Sequence, residues 1–207
     1  MIKEACIESF EEAILAEKYG ANRIELCSNI ILDGLTPKRE LVNKIINSIT
    51  IPLNVMIRPR SGNFNYSENE LSQMGKDINF CKSIGVSGVV FGILNKNLNI
   101  DIPAIKRLAL IARPLKITFH KAIDEVPKPL KALEELFKIN GITSVLSSGK
   151  KESAIKGFEL LKKMIDKAKT QLTIIPAGKI TYKNIDEIHQ LIGANEYHGR
   201  NIVTNFN

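Results

Sequence analysis

The sequence predicts an α/β protein, a (β/α)₈ TIM barrel forming a single domain over residues 1–207, with a missing or rudimentary eighth helix. Three observations lead there. Eight short apolar-rich segments alternate with helical ones at spacings of roughly 20 to 30 residues, the rhythm of strand–helix units on a parallel sheet. In at least five of the eight, apolar and polar residues alternate with the period of two that sorts side chains to opposite faces of a strand. Finally, no Gly-x-Gly-x-x-Gly follows the first strand, where Ile7-Glu8-Ser9-Phe10 stands, which argues against an open doubly wound sheet.

The first two strands, Lys3-Glu4-Ala5-Cys6 and Arg23-Ile24-Glu25-Leu26-Cys27, repeat one chemistry: a carboxylate and a thiol two residues apart on one face. A helix over 8–19 joins them, so the pair is parallel with a right-handed crossover. Next, Thr36 is placed to cap a helix that has Pro37 at its first position and runs to about residue 47. Strand three, 53–57, leads into a turn-rich loop from Arg58 to Tyr66. Ser67-Glu68-Asn69-Glu70 reads as a capping box for a long helix ending near Gly85. Strand four is 88–92 and the next helix 101–112. Strand five, Lys116-Ile117-Thr118-Phe119-His120, turns Ile117 and Phe119 one way and Thr118 and His120 the other. Helices over 129–139, 151–168 and 183–192 alternate with strands at 144–147, 172–175 and 196–198. Only nine residues follow His198, too few for an ordinary eighth helix.

Composition narrows the function classes. A hydrophobic content of 44% over 207 residues can fill one sizeable core. No run of about 18 apolar residues exists to cross a membrane, and the N-terminus has no secretory pattern. Three cysteines, an odd number, are read as reduced thiols of a cytoplasmic protein. The net charge of +7 comes from lysines scattered over every helix, without the aromatic interleaving that single-stranded nucleic acid needs, so nucleic acid is not expected as a partner.

If the apolar sets face the helices, then Glu4, Cys6, Glu25 and Cys27 face the barrel interior, joined by Asn54, Met56 and Arg58. Thr118, His120, Glu196 and His198 complete the set. The polar members lie toward the C-terminal ends of the strands, where barrel enzymes keep their active sites. Glu4, Glu25, His120, Glu196 and His198 are the catalytic candidates for moving protons, with His120 alternatively a metal ligand or a hydrogen-bonded core residue. Arg58 and Arg60, flanking Pro59, suit a carboxylate or phosphate on a small anionic ligand. Their alternative is to serve as internal counter-ions to Glu4, Glu25 or Glu196. Ser147-Ser148-Gly149-Lys150 and Ala177-Gly178-Lys179 are loops that either hold phosphate through backbone N–H groups or simply turn into helices. Cys6 and Cys27, with Met56, form a soft donor set suited to Cu(I), against the alternative of buried thiols acting as small hydrophobes. Cys81 reads as core.

Taken in order, Arg23-Ile24-Glu25-Leu26-Cys27, Gly34-Leu35-Thr36-Pro37, Met56-Ile57-Arg58-Pro59-Arg60, Thr118-Phe119-His120, Ser148-Gly149 and Glu196-x-His198 resemble the CutC family over nearly the whole chain. The resemblance implies a TIM barrel named for copper homeostasis, with copper bound at cysteines matching Cys6 and Cys27. The chain departs from the family pattern at Asn63, where the family has Asp, at Lys121, where it has Arg, at Pro176-Ala177-Gly178-Lys179, and in its short C-terminal segment. With no proper eighth helix, apolar surface beside the last strand calls for cover, so a homodimer or higher homo-oligomer is expected.

Overall fold

Eight parallel strands form one sheet in the computed structural model, which describes residues 1–206. They are β1 Ile2–Ile7, β2 Arg23–Leu26, β3 Leu53–Met56, β4 Gly88–Phe91, β5 Lys116–Phe119, β6 Ile142–Ser147, β7 Thr173–Pro176 and β8 Glu196–Gly199. Among the described residues seven α-helices alternate with them: α1 Phe10–Lys18, α2 Arg39–Ile46, α3 Glu68–Ser83, α4 Ile102–Ala112, α5 Pro129–Leu136, α6 Phe158–Ala168 and α7 Ile185–Ile192. The order across the sheet is β7-β6-β5-β4-β3-β2-β1-β8. Because β1 pairs with both β2 and β8, the sheet curls into a nearly closed barrel.

Among the described residues only β7 and β8 lack a ladder between them. Loops cross that seam instead. Tyr182 N–H donates to the Asn201 carbonyl at 2.8 Å. Gly199 sits so close to the Ile180 carbonyl that a Cβ there would lie 2.2 Å from its oxygen, which makes glycine obligatory. After β8 the described residues turn without forming a helix.

Local chemistry explains most boundaries. The Ser67–Glu70 capping box opens α3 as the sequence indicates, and Asp101 caps α4 by accepting the Ala104 N–H at 3.0 Å. Two expectations are corrected. The Thr36 hydroxyl is taken by the Arg58 N–H at 2.8 Å, so it does not cap α2, which starts at Arg39. The helix expected from residue 151 begins only at Phe158, because Ala154 N–H is tied to the Gly178 carbonyl at 3.0 Å and holds the segment in turns.

The outward faces of the strands carry Ile24, Leu26, Val89, Phe91, Ile117 and Phe119, all fully buried against the helix ring. Truncating one of the large ones, such as Phe91→Ala, would cost about 3–5 kcal/mol. With one apolar face committed to the helices, the alternation turns the other set of strand side chains into the lumen. Among the described residues no helix is long and apolar enough to cross a membrane.

Candidate functional site

The lumen is divided. On the arc from β8 to β3 its residues are polar, and they form one bonded cluster centred on Glu4, which is 0% exposed. Its carboxylate accepts from Arg23 Nε, from Asn54 Nδ2 at 3.1 Å and from His198 Nδ1 at 2.8 Å. Arg23 reaches on to Glu196 at 2.6 Å. On the other arc, β4, β6 and β7 turn Val90, Leu146, Ile175 and Ala177 inward as an apolar wall. The same period of two yields both arcs, since only the residue types differ.

Glu25 is the register partner of Cys6 across the β1–β2 ladder. Its Oε1 lies 4.0 Å from His198 Nε2, while its Oε2 is buried with no hydrogen-bond partner among the described residues. The two buried carboxylates are pushed in opposite directions. Burial pushes Glu25 up from 4.5 to about 7, helped by the Glu4 charge and only partly opposed by His198 and Arg23. Burial would also raise Glu4, but the His198 hydrogen bond and the Arg23 and His198 charges prevail and hold it at about 2. His198 is driven the other way: burial disfavours its charge, yet Glu25, Cys6 and Glu4 around it raise it well above its ordinary value.

Above this cluster the Cys6 and Cys27 sulfurs lie 3.6 Å apart, and Cys27 Sγ also contacts the Ile7 carbonyl at 3.7 Å. The contact with Cys27, together with burial, raises the Cys6 thiol well above its ordinary value. Ligand atoms of Cys6, Glu25 and His198 all fall within 4.8 Å of one another, the one such grouping among the described residues. Met56 packs against the thiols.

These residues floor a pocket of about 440 Å³ that opens at the C-terminal ends of the strands. Its far side is built from Arg58, Phe64 and His120. Arg58 is 4% exposed; its Nη1 donates to the carbonyls of Leu32, Asp33 and Gly34 at 3.0, 3.2 and 3.3 Å, and its Nη2 to Gly62 at 3.0 Å. The guanidinium stacks on Phe64 at 4.9 Å, and the Phe64 ring in turn faces His120 at 4.7 Å. Burial, and then the Arg58 charge, push His120 down to about 3.

The pocket therefore brings together Cys6, Glu25, Cys27, Arg58, His120 and His198, with Glu4 directly beneath His198. Glu196 lies lower, paired to Arg23 and away from the pocket lining. Arg60 is also outside: it pairs with Glu70 at 2.5 Å and binds the Ser61, Asn63 and Asn65 carbonyls. Arg58 and Arg60 are thus not the counter-ions of Glu4 and Glu196. Arg23 is, and its place two residues before Glu25, on the same strand face, is the sequence signal for that role. The Ser147–Lys150 loop does not leave its N–H groups free for phosphate. The Asp124 carboxylate already accepts from Ser148 N at 2.8 Å and Lys150 N at 3.0 Å, as well as from Ser147 Oγ at 2.5 Å.

Comparison with known proteins returns a consistent result. The model of the CutC family matches residues 1–203. The "Copper homeostasis protein cutC homolog" of Mus musculus is 43% identical over 197 residues, spanning 95% of this chain and 72% of that protein. A CutC protein of Treponema denticola is 42% identical over 195 residues, or 94% of this chain and 79% of that protein. The crystal structure of a CutC protein from Streptococcus agalactiae superposes with a TM-score of 0.93 at 31% identity, covering 98% of this chain and 99% of that one. An N-(5'-phosphoribosyl)anthranilate isomerase from Pyrococcus furiosus, at 15% identity and a TM-score of 0.60 over 96% of this chain and 86% of that one, shares the barrel fold alone.

Proposed function

This chain belongs to the CutC family, and from that premise we propose that it binds Cu(I) as its cargo in copper homeostasis. Cys6 and Cys27 are the primary ligands and His198 Nε2 the third. The observation that carries this reading is the 3.6 Å separation of the two sulfurs. Two sulfur–metal bonds of about 2.3 Å laid in a line would need sulfurs about 4.6 Å apart. At the observed spacing a bound ion would sit off the line between the sulfurs, leaving one side open to a third donor. His198 supports that role: its Nδ1 is held by Glu4 at 2.8 Å, leaving Nε2 on the side of Cys6 and Glu25, the carboxylate–histidine arrangement that orients a metal ligand. Sulfur and imidazole suit a soft ion better than the Glu25 carboxylate does. X-ray absorption at the copper edge of Cu(I)-loaded protein tests the ligand set. Two sulfurs and one nitrogen are expected; a shell of oxygen and nitrogen alone would end the reading.

A second reading has its own observation. Glu4 at about 2 and Glu25 at about 7, set on either side of His198, form a pair of carboxylates with divided protonation states beneath a pocket of about 440 Å³. Such a pair suits acid–base chemistry on a small molecule, with Glu25 as the base poised near neutrality and His198 as the acid. Turnover of any small ligand that is lost in Glu25→Gln but kept in Cys27→Ser would favour this reading over cargo binding.

A further inference from the structure

The pocket has a second end that neither copper nor proton transfer uses. In a ring of eight strands β5 lies opposite β1, so His120, which follows β5, faces the cluster of Cys6 and Glu25 from across the lumen. Its Nδ1 accepts the Ala122 N–H at 3.2 Å, so in the neutral ring the proton sits on Nε2. That Nε2–H is buried at the pocket wall and has no partner among the described residues. The ring is deliberately seated. A Cβ on Gly92 would lie 2.6 Å from Nδ1, so only glycine leaves room for it, and Phe64 closes its other face at 4.7 Å.

Beside it Arg58 is a buried cation whose hydrogen-bond partners are all neutral carbonyls. No carboxylate pairs with it among the described residues, and its Nε is also without a partner. A buried charge without a counter-ion is costly, and the cost falls when an anion arrives. The pocket lining also includes Asp33, Glu125, Lys121, Lys179 and Arg200; Lys179 lies 3.9 Å from Glu152 and Arg200 is held by Glu12 at 2.6 Å. An unmet N–H donor calls for an acceptor oxygen, and the unbalanced guanidinium calls for that oxygen to be charged.

We propose that the pocket binds a small organic oxyanion, a carboxylate or a phosphate ester, with its charged oxygen on His120 Nε2–H beside Arg58 and the rest of the molecule reaching across the apolar wall toward Glu25. This names the ligand class of the acid–base reading and rests on it for what happens at the far end, but the binding itself needs no turnover. The volume of about 440 Å³ fits a small metabolite.

The test uses protein labelled with ¹⁵N only in its three histidines, titrated separately with malonate, glycerol 3-phosphate and, as a neutral control, glycerol. The His120 Nε2–H signal is expected to shift and to exchange more slowly with water when one or both anions are added, while glycerol has no effect. A response to malonate alone selects the carboxylate, and a response to the ester alone selects the phosphate. Arg58→Met should weaken the anion by at least about tenfold; should that variant fail to fold, the parent titration still decides. Glu25→Gln should abolish turnover while the His120 Nε2–H signal still responds to the anion, so loss of turnover and loss of binding are told apart. No response of His120 to either anion at concentrations on the order of millimolar, or an equal response to glycerol, overturns the proposal.

Discussion

Cys6 and Cys27 come from different strands, yet their sulfurs lie 3.6 Å apart. The contact is diagonal: Cys6 pairs in register with Glu25, and Cys27 sits two residues further along, just past the end of β2. Gly34 leaves the space above, since a Cβ there would approach Cys27 Cβ to 3.3 Å. Copper at this pair must displace protons. The Cys6 thiol is raised by its contact with Cys27 and by burial, and His198 is raised by its carboxylate and thiol neighbours despite burial. Apparent Cu(I) affinity is therefore expected to increase with pH across roughly pH 6 to 8, with protons released on binding. Chelator competition at several pH values checks this, and a flat profile would show that neither group gives up a proton.

Removing the Glu4 charge should be among the most damaging single changes. Glu4→Gln leaves Arg23 and His198 buried beside a neutral amide, for an expected loss of about 3–5 kcal/mol in urea unfolding. The sign with pH follows from the depressed value. Glu4 contributes stability that is fully present above 4.5 and is lost as pH falls toward about 2. The parent should thus show an acid transition in this window that the variant lacks.

Glu25 works in the opposite direction. Its folded value near 7, against 4.5 for the free group, means the folded protein holds this proton more tightly than the unfolded chain. Its cost to the fold grows as pH rises from 4.5 through about 7. Glu25→Gln should therefore gain stability relative to the parent at pH 8 and lose that advantage below pH 4.5, as thermal melts at both ends would reveal. A variant less stable than the parent at pH 8 would contradict the assignment.

Gly92→Ala is expected to expel the His120 ring, because the new methyl would stand 2.6 Å from Nδ1. The damage should be local. A destabilisation of about 1–3 kcal/mol, with Cu(I) binding intact and the His120 imidazole signal moved, is the predicted outcome.

The barrel was legible because burial of the strands' outer faces imposes a strict period of two. Ile24, Leu26, Ile117 and Phe119 point to the helices as the alternation required, and Glu4, Glu25 and His198 point inward. What the alternation cannot give is partnership. Arg23 shares the inward face of Glu25, but whether Arg23 or Arg58 neutralises Glu4 depends on which strand neighbours which and on reach. The fate of the Ser147–Lys150 loop was likewise not legible, because Asp124, which takes up N–H groups of that loop, lies more than twenty residues away in a short 3₁₀ helix after β5. The start of α2 moved because a long-range bond took the Thr36 hydroxyl from its expected cap.

Titration of the reduced protein with Cu(I) against a competing chelator tests the central claim most directly, with Cys6→Ser and Cys27→Ser alongside the parent. One ion per chain is expected, with each substitution weakening the affinity by at least about a hundredfold. Variants that hold copper as tightly as the parent would contradict the account.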